Sequence, residues 1–109
     1  MNATNWSKEK LKIYILLLCT YADDEASPEE IKIINSHTKQ TYFEEIHQEF
    51  INDTHETRVS KIEHAISNLE FDITELMELR NEIHKVFLAD KVFNRKEKYI
   101  ESLLDNLLY

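Results

Sequence analysis

Ile13-Tyr14-Ile15-Leu16-Leu17-Leu18-Cys19 is a run of seven residues with no charged or amide side chain in it. A helix turns once in about 3.6 residues, so this stretch is apolar on every face. A helix apolar all round has neighbours on all sides. The run therefore predicts a central helix, from residue 6 or 7 to residue 21, with other helices packed round it. It is far shorter than the roughly 20 residues that span a bilayer. It also starts too late, and without the small-residue cleavage site, to be a signal peptide. Cys19 is the only cysteine, so no internal disulfide forms. The expectation is a reducing, cytoplasmic location, with Cys19 as a buried small hydrophobe.

Outward from that run the helical signals continue. Ser27-Pro28-Glu29-Glu30 reads as a capping box with proline at the first helical position. It opens a second helix carrying Ile31, Ile33 and Ile34 that fades near Lys39. Tyr42, Phe43, Ile46 and Phe50 recur at helical spacing over 42–52, and the polar stretch 53–57 reads as a loop. Val59, Ile62, Ala65, Ile66 and Leu69 line one face of a helix over 58–69. Asp72 or Thr74 opens a fifth helix, running to about Ala89, and Asn94 with Glu97 opens a sixth. No period-two strand pattern persists. The aromatic residues Tyr42, Phe43, Phe50, Phe71, Phe87, Phe93 and Tyr99 read as core, and Trp6 and Tyr109 as the exposed aromatics.

Composition agrees. The 109 residues form a single domain over 1–109, and they include no glycine and one proline. Average usage of about 7% glycine makes that absence informative. It removes P-loops, Rossmann fingerprints, Asn-Gly hairpins and EF-hand loops with their turn glycine. The expected fold is an all-α, compact orthogonal or antiparallel bundle of five to seven helices. Thirteen Lys+Arg against twenty-one Asp+Glu gives a net charge of −8. Such a surface repels phosphate backbones and anionic lipid, and no basic stripe occurs, so nucleic acid is not an expected partner. Basic partners and cations are.

Two segments match each other. Ala22-Asp23-Asp24-Glu25-Ala26-Ser27-Pro28-Glu29-Glu30 aligns with Ala89-Asp90-Lys91-Val92-Phe93-Asn94-Arg95-Lys96-Glu97. Each follows an apolar helix, and each consists of Ala-Asp, a short turn, a polar cap and a glutamate three residues after the cap. The aspartate suits an Asx-type turn, and the cap with its glutamate satisfies orphan backbone donors. One such unit cannot bury both its helices, but two related by a pseudo-twofold axis can.

The first segment resembles the Ala-Asp-Gly-Glu-Ile-Ser-Pro-Glu-Glu motif of the TerB-like tellurite-resistance domains. The second resembles that family's later Ala-Asp-Gly motif. The N-terminal domain of a membrane-anchored DnaJ-like co-chaperone carries the same pair. The family glycine is Asp24 in the first copy and Lys91 in the second. The resemblance implies an all-helical cytoplasmic module without catalytic activity. It is tied to resistance against tellurite, some phages and pore-forming colicins, and acts with protein partners in membrane-proximal stress complexes. It also implies a weak divalent-cation site, for Ca²⁺ or Mg²⁺, at Asp23, Asp24, Glu25, Glu30, Asp90 and Glu97.

The residues themselves leave two readings of that acidic set. Carboxylates at a helix N-terminus are stabilised by the macrodipole by about 0.3–1 kcal/mol each, and Glu30 and Glu97 serve as cap partners. Alternatively the two turns converge on a hard cation. A standard EF-hand does not fit: counting from Asp23, Ile34 falls where the bidentate glutamate belongs. Glu44-x-x-His47 has the spacing of half a di-iron site, but the chain holds no second such pair. A second functional class is an acidic, cation-independent adaptor or immunity-type protein that binds a basic partner.

Overall fold

The computed structural model describes residues 6–21, 28–88, 101–102 and 105–106. These contain α1 (Lys8–Tyr21), α2 (Pro28–Ser36), α3 (Gln40–Asn52), α4 (His55–Asn68) and α5 (Ile73–Leu88). Residues 101–102 and 105–106 are helical as well, and no strand occurs among the described residues. The Cα radius of gyration is 12.8 Å, close to the ~13 Å of a compact domain of about 100 residues.

The apolar run occupies the centre, as its pattern requires. Every residue from Ile13 to Thr20 is buried, and α1 packs against α2, α3, α4 and α5. Ser7 caps the helix by accepting from the Lys10 backbone N–H at 3.2 Å. The buried Thr20 hydroxyl donates to the Leu16 carbonyl at 2.8 Å, which satisfies it within its own helix. Around α1 the core is completed by Ile34, by Phe43, Ile46 and Phe50 of α3, by Ile62 and Ala65 of α4, and by Leu79, Ile83 and Val86 of α5. Burying a large aliphatic or aromatic side chain contributes about 1.5–3 kcal/mol, so this shell round α1 carries most of the favourable energy. Cys19 is fully buried, and desolvation pushes its thiol up to about 12.

Local capping chemistry sets the boundaries. Pro28 stands at the first position of α2. That helix stops at Ser36, short of Lys39, because Ser36 and Thr38 hydroxyls take the Ile33 and Ile34 carbonyls at 2.7 and 3.1 Å. The expected loop over 53–57 shrinks to Asp53 and Thr54. Thr54 Oγ1 accepts from the Thr57 backbone N–H at 3.2 Å, so α4 begins at His55 and His55 is helical. Of the two candidates for opening α5, Asp72 is the cap. Its Oδ1 accepts from the Glu75 N–H at 2.7 Å, and Glu75 Oε1 accepts from the Asp72 N–H at 3.3 Å. This reciprocal pair is a capping box.

Trp6 corrects an expectation. It is 5% exposed, not a surface aromatic, because its ring packs on Tyr14 at a centroid distance of 4.5 Å. Its indole N–H donates to Glu49 Oε1 at 3.4 Å, so the polar end is satisfied where it is buried. Tyr109, Phe93 and Tyr99 lie outside the described residues, as do the turns of both repeat units on which the pseudo-twofold relation rests.

After α4 the chain turns through Glu70, whose φ of 53° lies in the left-handed region. That conformation costs a residue with a Cβ about 1–2 kcal/mol, and glycine is the usual occupant. Glu70→Gly is expected to gain about 0.5–1 kcal/mol after glycine's larger unfolded-state entropy is deducted, raising Tm by roughly 2–6 °C. Thermal unfolding followed by circular dichroism checks this, with Glu70→Ala giving no such rise.

Candidate functional site

Of the six carboxylates nominated for a cation, Asp23, Asp24, Glu25, Asp90 and Glu97 lie outside the described residues. Glu30 sits in the first turn of α2 and is 5% exposed. Among the described residues no group of three or more His, Cys, Asp or Glu side chains is arranged to hold a metal ion. Glu44 and His47 do not converge. Glu44 is exposed and accepts from Gln40 one turn earlier, while His47 Nε2 meets the Tyr21 hydroxyl at 3.0 Å. Burial lowers the His47 pKa, which favours the neutral ring beside Tyr21 and Phe43.

Two polar constellations emerge that the sequence pattern did not single out. The first surrounds Lys61 of α4, which is 6% exposed. Its ammonium donates to Glu49 Oε2 at 2.8 Å and to Asp53 Oδ2 at 2.7 Å. The Tyr14 hydroxyl donates to the same Asp53 oxygen at 2.6 Å, and Trp6 donates to Glu49. Desolvation alone would lower the lysine pKa, but the bonds and charges of Asp53 and Glu49 outweigh it and hold it above the ordinary value. Burial, with Asp53 beside it, holds the Tyr14 phenol well above its own. Next to this group Arg58 donates from Nε and Nη2 to the Phe50 carbonyl at 3.1 and 2.8 Å, with its guanidinium 3.7 Å from the Phe50 ring centre. That carbonyl belongs to the last turn of α3, where a cation is favoured. The two carboxylates already have their cation, so the cluster ties α1, α3 and α4 together and offers a ligand no free group.

The second constellation is open. A cleft of about 230 Å³ lies between the first turns of α1 and one face of α5, lined by Lys8, Glu9, Lys12, Phe71, Glu75, Glu78, Leu79 and Glu82. Lys8 reaches across it to ion-pair with Glu75, and its ammonium stands 4.9 Å from the centre of the Phe71 ring. The hydrogen bonds from Lys8 and from the Asp72 N–H lower the Glu75 pKa. The ion pairs among the described residues leave Glu9, Glu78, Glu82 and Lys12 unengaged. Cleft carboxylates outnumber cleft ammoniums by four to two. The one signal in the sequence was the spacing of Glu75, Glu78 and Glu82, which puts all three on one helical face. Nothing local told that face apart from other solvated acidic faces.

No family model, no curated protein and no solved structure matches the chain. No helix among the described residues is long and apolar enough to cross a membrane.

Proposed function

We propose that the protein is a non-catalytic helical module of the TerB-like, tellurite-resistance type, acting in a stress response through protein partners. In this reading it takes a divalent cation weakly at its two Asp-containing turns. One observation carries the reading. The two helices that precede the Ala-Asp motifs in the sequence, α1 and α5, are described to Tyr21 and Leu88 and pack against each other. The pseudo-twofold pairing of the two units expects their leading helices to be in contact. Six nominated carboxylates without the family glycines suit a weak site, with a Kd of about 0.1–1 mM for Ca²⁺ or Mg²⁺. Calorimetric titration tests the cation. The expected result is binding by the wild type that is lost in Asp23→Ala/Asp90→Ala. Equal heats in both proteins, or none in the wild type, reject the site.

The acidic cleft favours a second reading, a cation-independent adaptor or immunity-type protein that occupies a basic partner. Recovery of partners on the tagged chain from its native cells, with and without added chelator, separates the two. The first reading predicts partners that depend on the cation, the second partners that do not.

A further inference from the structure

We propose that the α1–α5 cleft docks a lysine- or arginine-bearing segment of a partner protein, with one cationic side chain between Glu78 and Glu82 and an apolar neighbour against Phe71. This rests on the reading that the protein works through protein partners. It adds where the partner binds and by what chemistry.

Size is the first argument. Small-molecule pockets run from roughly 300 to 1,000 Å³, and this cleft, at about 230 Å³ and open to solvent, is smaller. It suits one or two protruding side chains rather than a cofactor. Charge is the second. Glu78 and Glu82 are one turn apart on α5 and repel each other, and among the described residues no cation pairs with either. A cation between them removes that repulsion. A metal ion is a poorer occupant, because no group of three ligands is arranged for one among the described residues and hard divalent cations call for about six oxygens or more. The third argument is the protein's own Lys8. It already lies at the edge of this cleft, with its ammonium over Phe71 and paired to Glu75. The contact shows what the wall accepts: an aromatic face for the stem of a basic side chain and a carboxylate for its head. Glu78 and Glu82 repeat the carboxylate half further along the same helix, with no cation paired to either among the described residues.

The probe is a synthetic amphipathic helical peptide of alternating lysine and leucine faces, with a glutamate-for-lysine counterpart. Binding to the full chain is read by fluorescence anisotropy at about 0.01 M and about 0.15 M salt, between which the Debye length falls from about 30 to about 8 Å. The lysine peptide is expected to bind more weakly at the higher salt. Glu78→Gln/Glu82→Gln is expected to weaken binding about fivefold. Glu56→Gln/Glu63→Gln removes the same charge from exposed positions on α4 and is expected to leave affinity unchanged. No binding at low salt, binding of the glutamate peptide, or equal losses in the two double variants overturns the assignment. The partner reading is judged separately. Should partners be recovered from native cells equally well by Glu78→Gln/Glu82→Gln and by wild type, that reading stands and the cleft assignment falls. Should the wild type recover none, the partner reading falls and the peptide titration still decides the cleft.

Discussion

Phe50→Ala is expected to lower stability by about 4 kcal/mol. The ring is fully buried, with its centre 5.2 Å from that of Tyr14 and 5.1 Å from that of Tyr21. Its outer face carries the Arg58 guanidinium. Truncation therefore removes the transfer energy of the ring, leaves a cavity between α1 and α3, and takes away the surface on which Arg58 stacks. Arg58 also holds the Phe50 carbonyl, so the loss extends to the end of α3. Domains of this size are stable by only about 5–15 kcal/mol, and a loss of this order takes a large part of the total. Urea unfolding is the measurement. Phe50→Leu keeps most of the volume and is expected to lose less than about 2 kcal/mol. Similar losses for alanine and leucine would contradict the packing account.

Lys61→Met is the second large effect, at about 3 kcal/mol. Methionine fills much of the space but strands Glu49 and Asp53, whose side chains are only 21% and 11% exposed, without their shared cation. Removing one member of a buried ion group leaves an uncompensated charge, which costs more than the group contributed as a whole. Lys61→Met/Glu49→Leu/Asp53→Leu is therefore expected to recover part of the loss, although Tyr14 and Trp6 then lose their acceptors. The pH dependence has a definite sign. The Lys61 pKa is raised in the folded state. Its stabilisation is thus fully present below the unfolded lysine value of about 10.4 and is lost as pH rises through the higher folded value. The wild type should weaken in that alkaline window by more than Lys61→Met does. Parallel alkaline curves for the two proteins would show that Lys61 is not the group responsible.

Both predictions concern residues that a reading of the chain could place only in part. Phe50 was visible as core, because its helical spacing with Phe43 and Ile46 is local. Lys61 was invisible, because lysine normally stays in water and its partners lie 8 and 12 residues away. Trp6 was expected on the surface from its place near the terminus. What buries it is Tyr14 from the next turns and Glu49, 43 residues on. The missed start of α4 has another cause. Thr54 is the cap, but the polar run round it, which read as a loop, carries no apolar period to reveal a helix.

The amino-acid sequence by itself determined the helical class, the central position of α1, and the start of α5 to within two residues, at Asp72 or Thr74. These depend on interactions within about four residues, or on whether a face is apolar all round. The cleft was decided by tertiary structure alone. Lys8 and Glu75 are 67 positions apart, and only the packing of α1 against α5 brings their charges across from each other. A carboxylate on a helix reads the same along the chain whether water or a cleft lies in front of it.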